Sequence, residues 1–137
     1  MGIGLYYAKF NSSRINPIKS IPTQDKQTTL QKQTVTIGNV EYVVTPKNIN
    51  SSSKTWEFEI VLDTHTGSLD QDLVSLIGIA DNKRNEYQAT QWVGDPPGGH
   101  HREGVLQFSP ITEYPKSIEL KIQAIEATEE ATLLWNL

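Results

Sequence analysis

The residues best suited to chemistry lie close together between positions 95 and 108, where the chain reads DPPGGHHREGVLQF. This stretch holds two of the three histidines in the sequence, followed directly by an arginine and a glutamate. Imidazole nitrogens and carboxylate oxygens together suit Zn²⁺, Cu²⁺, Fe²⁺ or Mn²⁺. The same groups can instead hold a loop in place through hydrogen bonds to the backbone. Residues 95–103, named the glycine–histidine loop here, are therefore the candidate functional segment.

The order of residues within the glycine–histidine loop predicts a sharp and rigid bend. The prolines at positions 96 and 97 fix two φ angles and remove two backbone donors, so this segment cannot pair as a central strand. Gly98 and Gly99 permit positive φ angles and a tight change of direction. The side chains that follow the bend are therefore expected to be held in a defined position.

Alternation of side chains predicts two faces just after the bend. If the chain is already extended at residue 100, alternate residues point to the same side. His101 and Glu103 would then share one face, and His100 and Arg102 would share the other.

A second block, Leu-Asp-Thr-His at residues 62–65, ends the clearest strand pattern in the chain. The same alternation places its aspartate and histidine on one face. If this block lies beside the glycine–histidine loop, three histidines and two carboxylates converge. We therefore predict a divalent metal site, with Zn²⁺ or Cu²⁺ as the metal, whose ligands are drawn from His65, His101, Glu103, Asp63 and His100.

The alternative interpretation is a hydrogen-bonded staple without a metal. Arg102 would form a bidentate pair with Asp63 or Glu103, and the imidazoles would bond to backbone carbonyls. The staple residues would be Arg102, Asp63, Gly98 and Gly99. Because the chain contains no His-x-x-x-His pair or other complete metal-spacing motif, both interpretations stay open.

Either interpretation needs a scaffold, and the sequence predicts one made of strands. Residues 55–63 alternate between apolar and polar side chains, as in a half-buried antiparallel strand, and Gly38-Asn39 separates two β-branched runs as in a hairpin. Further strands are predicted at residues 74–80, 87–93, 105–108, 117–125 and 131–137, with one helical turn at 69–73. About seven to eight strands favour an all-β fold, an antiparallel immunoglobulin-like β-sandwich, with a small barrel as the alternative.

Composition and charge narrow the function classes. The net charge is −4 and the basic residues are scattered, which argues against a nucleic-acid partner. The absence of cysteine excludes disulfides, thiolate metal sites and a cysteine nucleophile. No Gly-x-Ser-x-Gly elbow and no phosphate-binding loop occurs, so we predict a non-enzymatic protein without catalytic residues.

The first 33 residues differ from the rest of the chain. Residues 1–10 are apolar and aromatic, and residues 11–33 are polar and contain two prolines. We predict an N-terminal tail or stalk at 1–33 and a β-sandwich domain at 34–137. The apolar start is interpreted as the end of a membrane anchor, which would tether the protein to a membrane, or alternatively as an ordinary first strand.

The blocks at 62–65 and 97–108 resemble those of a group of uncharacterised bacterial and archaeal domains that carry Leu-Asp-Thr-His and Gly-Gly-His-His-Arg-Glu-Gly-Val-Leu. The similarity spans roughly residues 34–137. The resemblance implies an exported β-sandwich in a secreted or membrane-anchored protein, and therefore an extracytoplasmic location. It implies no assigned reaction, so the expected function is a non-enzymatic module whose loop binds a metal or ligand, or a structural or protein-interaction sandwich.

Overall fold

The computed structural model describes residues 30–124 and 129–137. Most of the predicted tail, residues 1–29, lies outside the described residues, as does the turn at 125–128. The described chain forms nine strands and one helical turn: β1 Gln33–Ile37, β2 Val40–Lys47, β3 Trp56–Thr64, α1 Leu73–Leu76, β4 Ile77–Asp81, β5 Glu86–Gln88, β6 Gln91–Gly94, β7 His101–Phe108, β8 Ser117–Gln123 and β9 Glu130–Asn136.

The strands form two antiparallel sheets that pack face to face. The five-stranded sheet has the order β1-β2-β3-β7-β6, and the four-stranded sheet has the order β5-β4-β8-β9. The predicted all-β antiparallel sandwich is confirmed. Within the described residues no helix is long and apolar enough to cross a membrane.

The core lies between the sheets because each long strand places its apolar side chains on one face. In β3 the inward residues Trp56, Phe58, Ile60 and Leu62 are fully buried, as the alternation predicts. Phe58 packs edge-on against Phe108 of β7, with ring centroids 5.5 Å apart, and lies 5.8 Å from Trp135 of β9. These aromatic contacts join the two sheets and fix how they stack.

Two strand predictions are corrected by the structure. The single strand predicted at 87–93 is two strands, β5 and β6, which belong to different sheets. The chain changes sheets at Ala89-Thr90, where no glycine or proline marks the crossing in the sequence. The strand predicted at 105–108 begins four residues earlier, at His101, so the last three residues of the glycine–histidine loop are part of β7.

The helical turn also lies later than predicted. It covers Leu73–Leu76 rather than residues 69–73, and Asp72 precedes it. The Ser75 hydroxyl donates to the Asp72 carboxylate at 2.7 Å. Residues 65–72 are therefore free of regular secondary structure and run beside the glycine–histidine loop.

The two lateral sides of the sandwich differ. On one side the Gln33 amide donates to the Leu134 carbonyl at 2.7 Å, and the Trp135 indole donates to the Gln31 carbonyl at 2.6 Å. These bonds tie the start of the five-stranded sheet to the last strand of the other sheet. On the opposite side β5 and β6 are terminal strands, and no described strand pairs with their outer edges.

Candidate functional site

The glycine–histidine loop is tied to residues 64–71 by backbone hydrogen bonds. Gly98 and Gly99 have φ angles of 122° and 73°, which are the positive values that the bend was expected to require. The Gly98 N–H donates to the Leu69 carbonyl at 2.8 Å, and the Leu69 N–H donates to the Gly99 carbonyl at 2.9 Å. The Thr64 N–H donates to the His100 carbonyl at 3.0 Å. Because two irregular segments satisfy each other's backbone groups, neither needs a strand partner at this end of the sandwich.

Arg102 occupies the centre of this arrangement. Its side chain is only 2% exposed, and it is the buried cationic residue of the described chain. One terminal nitrogen donates to the carbonyls of Gln71 at 2.9 Å and Leu69 at 3.3 Å, and the other donates to the Asp95 carbonyl at 3.3 Å. Burial lowers the pKa of Arg102, although nearby Asp95 opposes this effect. A guanidinium remains charged in proteins, so a cation here holds three carbonyl oxygens together.

An aromatic platform completes the surroundings of Arg102. The guanidinium carbon lies 5.4 Å from the centre of the Trp92 ring, a cation–π distance. The Trp92 indole N–H donates to the Asp95 carbonyl at 2.8 Å, which ties the ring to the same oxygen that Arg102 binds. The ring fits because Gly94 and Gly104 oppose each other on β6 and β7. A Cβ on Gly104 would lie 2.8 Å from Trp92 Cζ2 and 2.6 Å from the Gly94 Cα, so both positions require glycine.

The predicted ion pair of Arg102 with Asp63 or Glu103 is wrong. Arg102 alternates with its neighbours along β7, so it points into the sandwich while Glu103 points out. Asp63 is also on the outward face of β3. Carbonyl oxygens and the Trp92 ring replace the carboxylate, and Arg102 forms no ion pair with any described residue.

The outward face of the same strands carries a second, smaller cluster. His101 lies directly opposite Asp63 in the β3–β7 pairing, and His101 Nδ1 is 2.7 Å from Asp63 Oδ1. His101 Nε2 is 3.8 Å from Glu103 Oε1. The hydrogen bond that the imidazole donates to the Asp63 carboxylate raises the pKa of His101, and the negative charges of Asp63 and Glu103 add to this effect. The two side chains of the 2.7 Å pair are about half exposed, at 53% and 48%.

The structure therefore brings together some of the predicted metal ligands and leaves others apart. His101 and Glu103 share a face, as the alternation predicts, and the pairing of β3 with β7 brings Asp63 opposite His101. His65 lies in the exposed segment beyond the end of β3, and His100 is exposed in the bend; neither imidazole bonds to a described residue. Within residues 30–124 and 129–137, no group of three or more histidine, aspartate or glutamate side chains is placed to hold a metal ion.

Sequence reasoning missed the partners that hold Arg102, which are Leu69, Gln71, Asp95 and Trp92. Three of them act through a backbone carbonyl, which carries no residue-type signature. The Gln71 side chain is also buried, and its Oε1 has no hydrogen-bond partner among the described groups. Glycines at positions 94 and 104 indicate that two strand backbones approach closely. The sequence alone does not reveal this, because the strand register must be known before the two glycines can be paired.

A groove of about 500 Å³ lies elsewhere on the molecule, on the outer face of the four-stranded sheet. Gly78 lies on its floor, and Lys121 Nζ is 3.3 Å from Glu86 Oε2 across it. None of its lining residues belongs to the glycine–histidine loop. The glycine–histidine loop and this groove are therefore separate parts of the surface.

Comparison of the chain with protein-family models, with curated proteins and with solved structures finds no match.

Proposed function

We propose that the chain supplies a non-enzymatic β-sandwich module for protein interaction, in which the glycine–histidine loop is a structural staple. The observation that carries this proposal is the set of hydrogen bonds made by Arg102. Its guanidinium lies inside the sandwich and donates to the carbonyls of Leu69, Gln71 and Asp95. A group that is 2% exposed and surrounded by the chain's own atoms is unavailable to a substrate or ligand.

The staple acts by closing one end of the sandwich. The bend at Gly98-Gly99 and the segment that contains Leu69 and Gln71 are connections without a strand ladder. Connections of this kind are usually the most mobile parts of a domain. Arg102 and the reciprocal bonds between Gly98, Gly99 and Leu69 hold them to the rigid strands. The outer faces of the sheets are thereby fixed in shape, which lowers the ordering cost when a partner binds.

We place this module in an exported or membrane-anchored protein. The apolar start at residues 1–10 and the polar stretch at 11–33 support a tether followed by a stalk. The resemblance to exported domains supports the same location. An alkaline phosphatase fused after Leu137, in the protein's natural reading frame, is expected to be active because this reporter folds only outside the cytoplasm. An inactive phosphatase, with an active cytoplasmic reporter at the same position, would contradict the location.

A second candidate function is the binding of Zn²⁺ or Cu²⁺ at the outward cluster. Asp63 holds His101 Nδ1, which leaves Nε2 directed toward Glu103 Oε1 at 3.8 Å. A carboxylate behind a histidine is a common arrangement in metal sites, because it fixes the tautomer and orients the free nitrogen. His65 or His100 would have to move to supply a third ligand.

One set of measurements separates the two functions. The purified full chain is analysed for bound metal and titrated with ZnCl₂ and CuCl₂ by calorimetry, together with the His101→Ala and Arg102→Met variants. The staple predicts no stoichiometric metal binding and a large loss of thermal stability only in Arg102→Met. Stoichiometric binding that His101→Ala abolishes would overturn the staple as the role of the loop.

A further inference from the structure

The outer face of the five-stranded sheet carries a row of valines that crosses four strands. Val43 of β2 lies opposite Val61 of β3, and Val93 of β6 lies opposite Val105 of β7. Val61 pairs with Glu103 and Val105 pairs with Glu59, so Val61 and Val105 are diagonal neighbours across the β3–β7 pairing. The four side chains form one oblique stripe, named the valine stripe here.

The valine stripe lies on the outer face of its sheet, where Val43, Val61 and Val105 are half-buried and Val93 is exposed. Its residues occupy the positions that alternate with the buried core residues of their strands, so they face away from the other sheet. Val93 is 48% exposed and is one of three large apolar side chains with such exposure among the described residues. It lies on β6, the terminal strand of the sheet. A contiguous apolar patch with a polar rim is typical of an interaction surface.

The rim of the stripe is acidic. The outward positions of the five strands hold five carboxylates, against one lysine, Lys47, and one histidine, His101; the carboxylates are Glu41, Glu57, Glu59, Asp63 and Glu103. The face thus carries −4 when His101 is neutral, the same value as the net charge of the whole chain. Lys47 reaches one of these carboxylates, Glu59, at 3.9 Å. Negative charge therefore surrounds the apolar centre on both sides.

The negative charge around the valine stripe determines which kind of molecule can bind there. A second copy of this chain would bring a similar set of carboxylates against the first, and like charges across an interface oppose association. Nucleic acid and anionic lipid are disfavoured for the same reason. A polypeptide surface with an apolar centre and surrounding lysine or arginine side chains complements both the stripe and its rim.

We propose that the valine stripe is a docking site for a cationic, amphipathic segment of another protein. The segment lays its apolar side chains along Val43, Val61, Val105 and Val93 and directs its basic side chains to the flanking carboxylates. This inference rests on the proposed function and names the class of partner. The docking site needs neither direct contact with Arg102 nor a bound metal, so this inference can fail while the staple stands.

The test uses a synthetic amphipathic peptide with a leucine face and a lysine face, and a second peptide in which glutamate replaces every lysine. Binding of each to the full chain is measured by fluorescence anisotropy, and the contacts are mapped by NMR chemical-shift changes. The lysine peptide is expected to bind saturably, with changes centred on the valine stripe. The glutamate peptide is expected to bind at least tenfold more weakly, and salt at 0.5 M is expected to weaken the lysine peptide because it screens exposed charges.

Two matched variants check the site. A Val93→Thr/Val105→Thr double variant keeps β-branched side chains on both strands and is expected to weaken the lysine peptide about tenfold, since apolar contact is lost. Leu134→Thr alters a residue that is also 48% exposed but lies on the other sheet, and it is expected to leave affinity unchanged. Three results would each overturn the proposal. They are equal affinities of the two variants for the lysine peptide, chemical-shift changes centred on the four-stranded sheet, and no saturable binding. A dimer detected by sedimentation and dissociated by the double variant would also overturn it, because a second copy would then be the occupant.

Discussion

Replacing Arg102 with methionine should destabilise the fold by about 2 kcal/mol, because one buried carbonyl loses its only donor. The Leu69 carbonyl would keep the Gly98 N–H, and the Asp95 carbonyl would keep the Trp92 indole N–H. The Gln71 carbonyl, which Arg102 reaches at 2.9 Å, has no second donor among the described residues. An unsatisfied buried acceptor costs roughly 1–3 kcal/mol, and loss of the contact with Trp92 adds about 0.5–2 kcal/mol.

An opposing effect reduces this sum. Arg102 is buried without an ion pair, and removing an unpaired buried charge relieves a desolvation cost. The relief is partial, because the three carbonyls and the Trp92 ring already stabilise the cation. Methionine also retains most of the apolar stem, so the cavity is small. For a domain of this size, 2 kcal/mol corresponds to a fall in Tm of roughly 8 °C.

Urea unfolding followed by far-UV circular dichroism measures this change without relying on tryptophan signals near the substitution. Arg102→Lys separates charge from geometry: a lysine keeps the cation but presents one point of donation instead of a planar fork. We expect it to be at least as destabilised as the methionine variant. Arg84→Met, at an exposed position, is the control and should change the free energy of unfolding by less than about 0.5 kcal/mol. Unchanged urea midpoints for Arg102→Met, or full stability of Arg102→Lys, would refute the staple.

Three further predictions concern the same end of the sandwich. His101 should titrate by NMR above its ordinary pKa of 6.5, and Asp63→Asn should lower that pKa. Because the folded pKa is raised, the stabilisation from this pair is complete below about pH 6.5 and is lost as the pH rises through the raised value. A measured pKa at or below 6.5 would contradict the pairing. Gly99→Ala should cost about 1 kcal/mol in urea unfolding, since φ is 73° but a Cβ there meets nothing within 4 Å, and an unaltered midpoint would count against the bend. Gly104→Ala should cost more than Gly99→Ala in the same assay, because its Cβ would lie 2.6 Å from the Gly94 backbone, and the reverse order would show that the close approach does not limit stability.

Much of the scaffold follows from side-chain periodicity. In β3 the pattern of Trp56, Phe58, Ile60 and Leu62 fixes which face is buried, and the structure agrees because a one-residue slip would expose the whole set. The Gly38-Asn39 hairpin was predicted for a similarly local reason, and Gly38 has a φ of 59°. The same alternation correctly separates the inward Arg102 from the outward His101. These features depend on neighbours within a few positions in the chain.

The features that escaped prediction depend on distant backbone groups. Arg102 bonds to carbonyls 31 and 33 residues away, and a carbonyl is present at every position of every sequence. Alternation predicted that Arg102 points away from His101 and Glu103, but it did not identify which of the two faces is buried. An arginine is ordinarily assigned a carboxylate partner, and the two carboxylates assigned to it, Asp63 and Glu103, lie on the other face. The division of residues 87–93 between two sheets was missed because Ala89 and Thr90 are ordinary strand residues. Neither is a glycine or proline that would mark the end of one strand and the start of another.

The two faces of β7 connect the staple to the valine stripe. Arg102 is fixed on the inner face, and the adjacent residues His101, Glu103 and Val105 are on the outer face of the same strand. Because β7 is rigid between its pairings with β3 and β6, a side chain that anchors the inner face also fixes where the outer residues stand. Loosening Arg102 should therefore disturb the β6 end of the stripe, where Trp92 and Val93 are consecutive. Arg102→Met should then weaken the lysine peptide even at temperatures where the variant is fully folded, whereas Arg84→Met should not. Unaltered affinity in folded Arg102→Met would show that the inner and outer faces act independently.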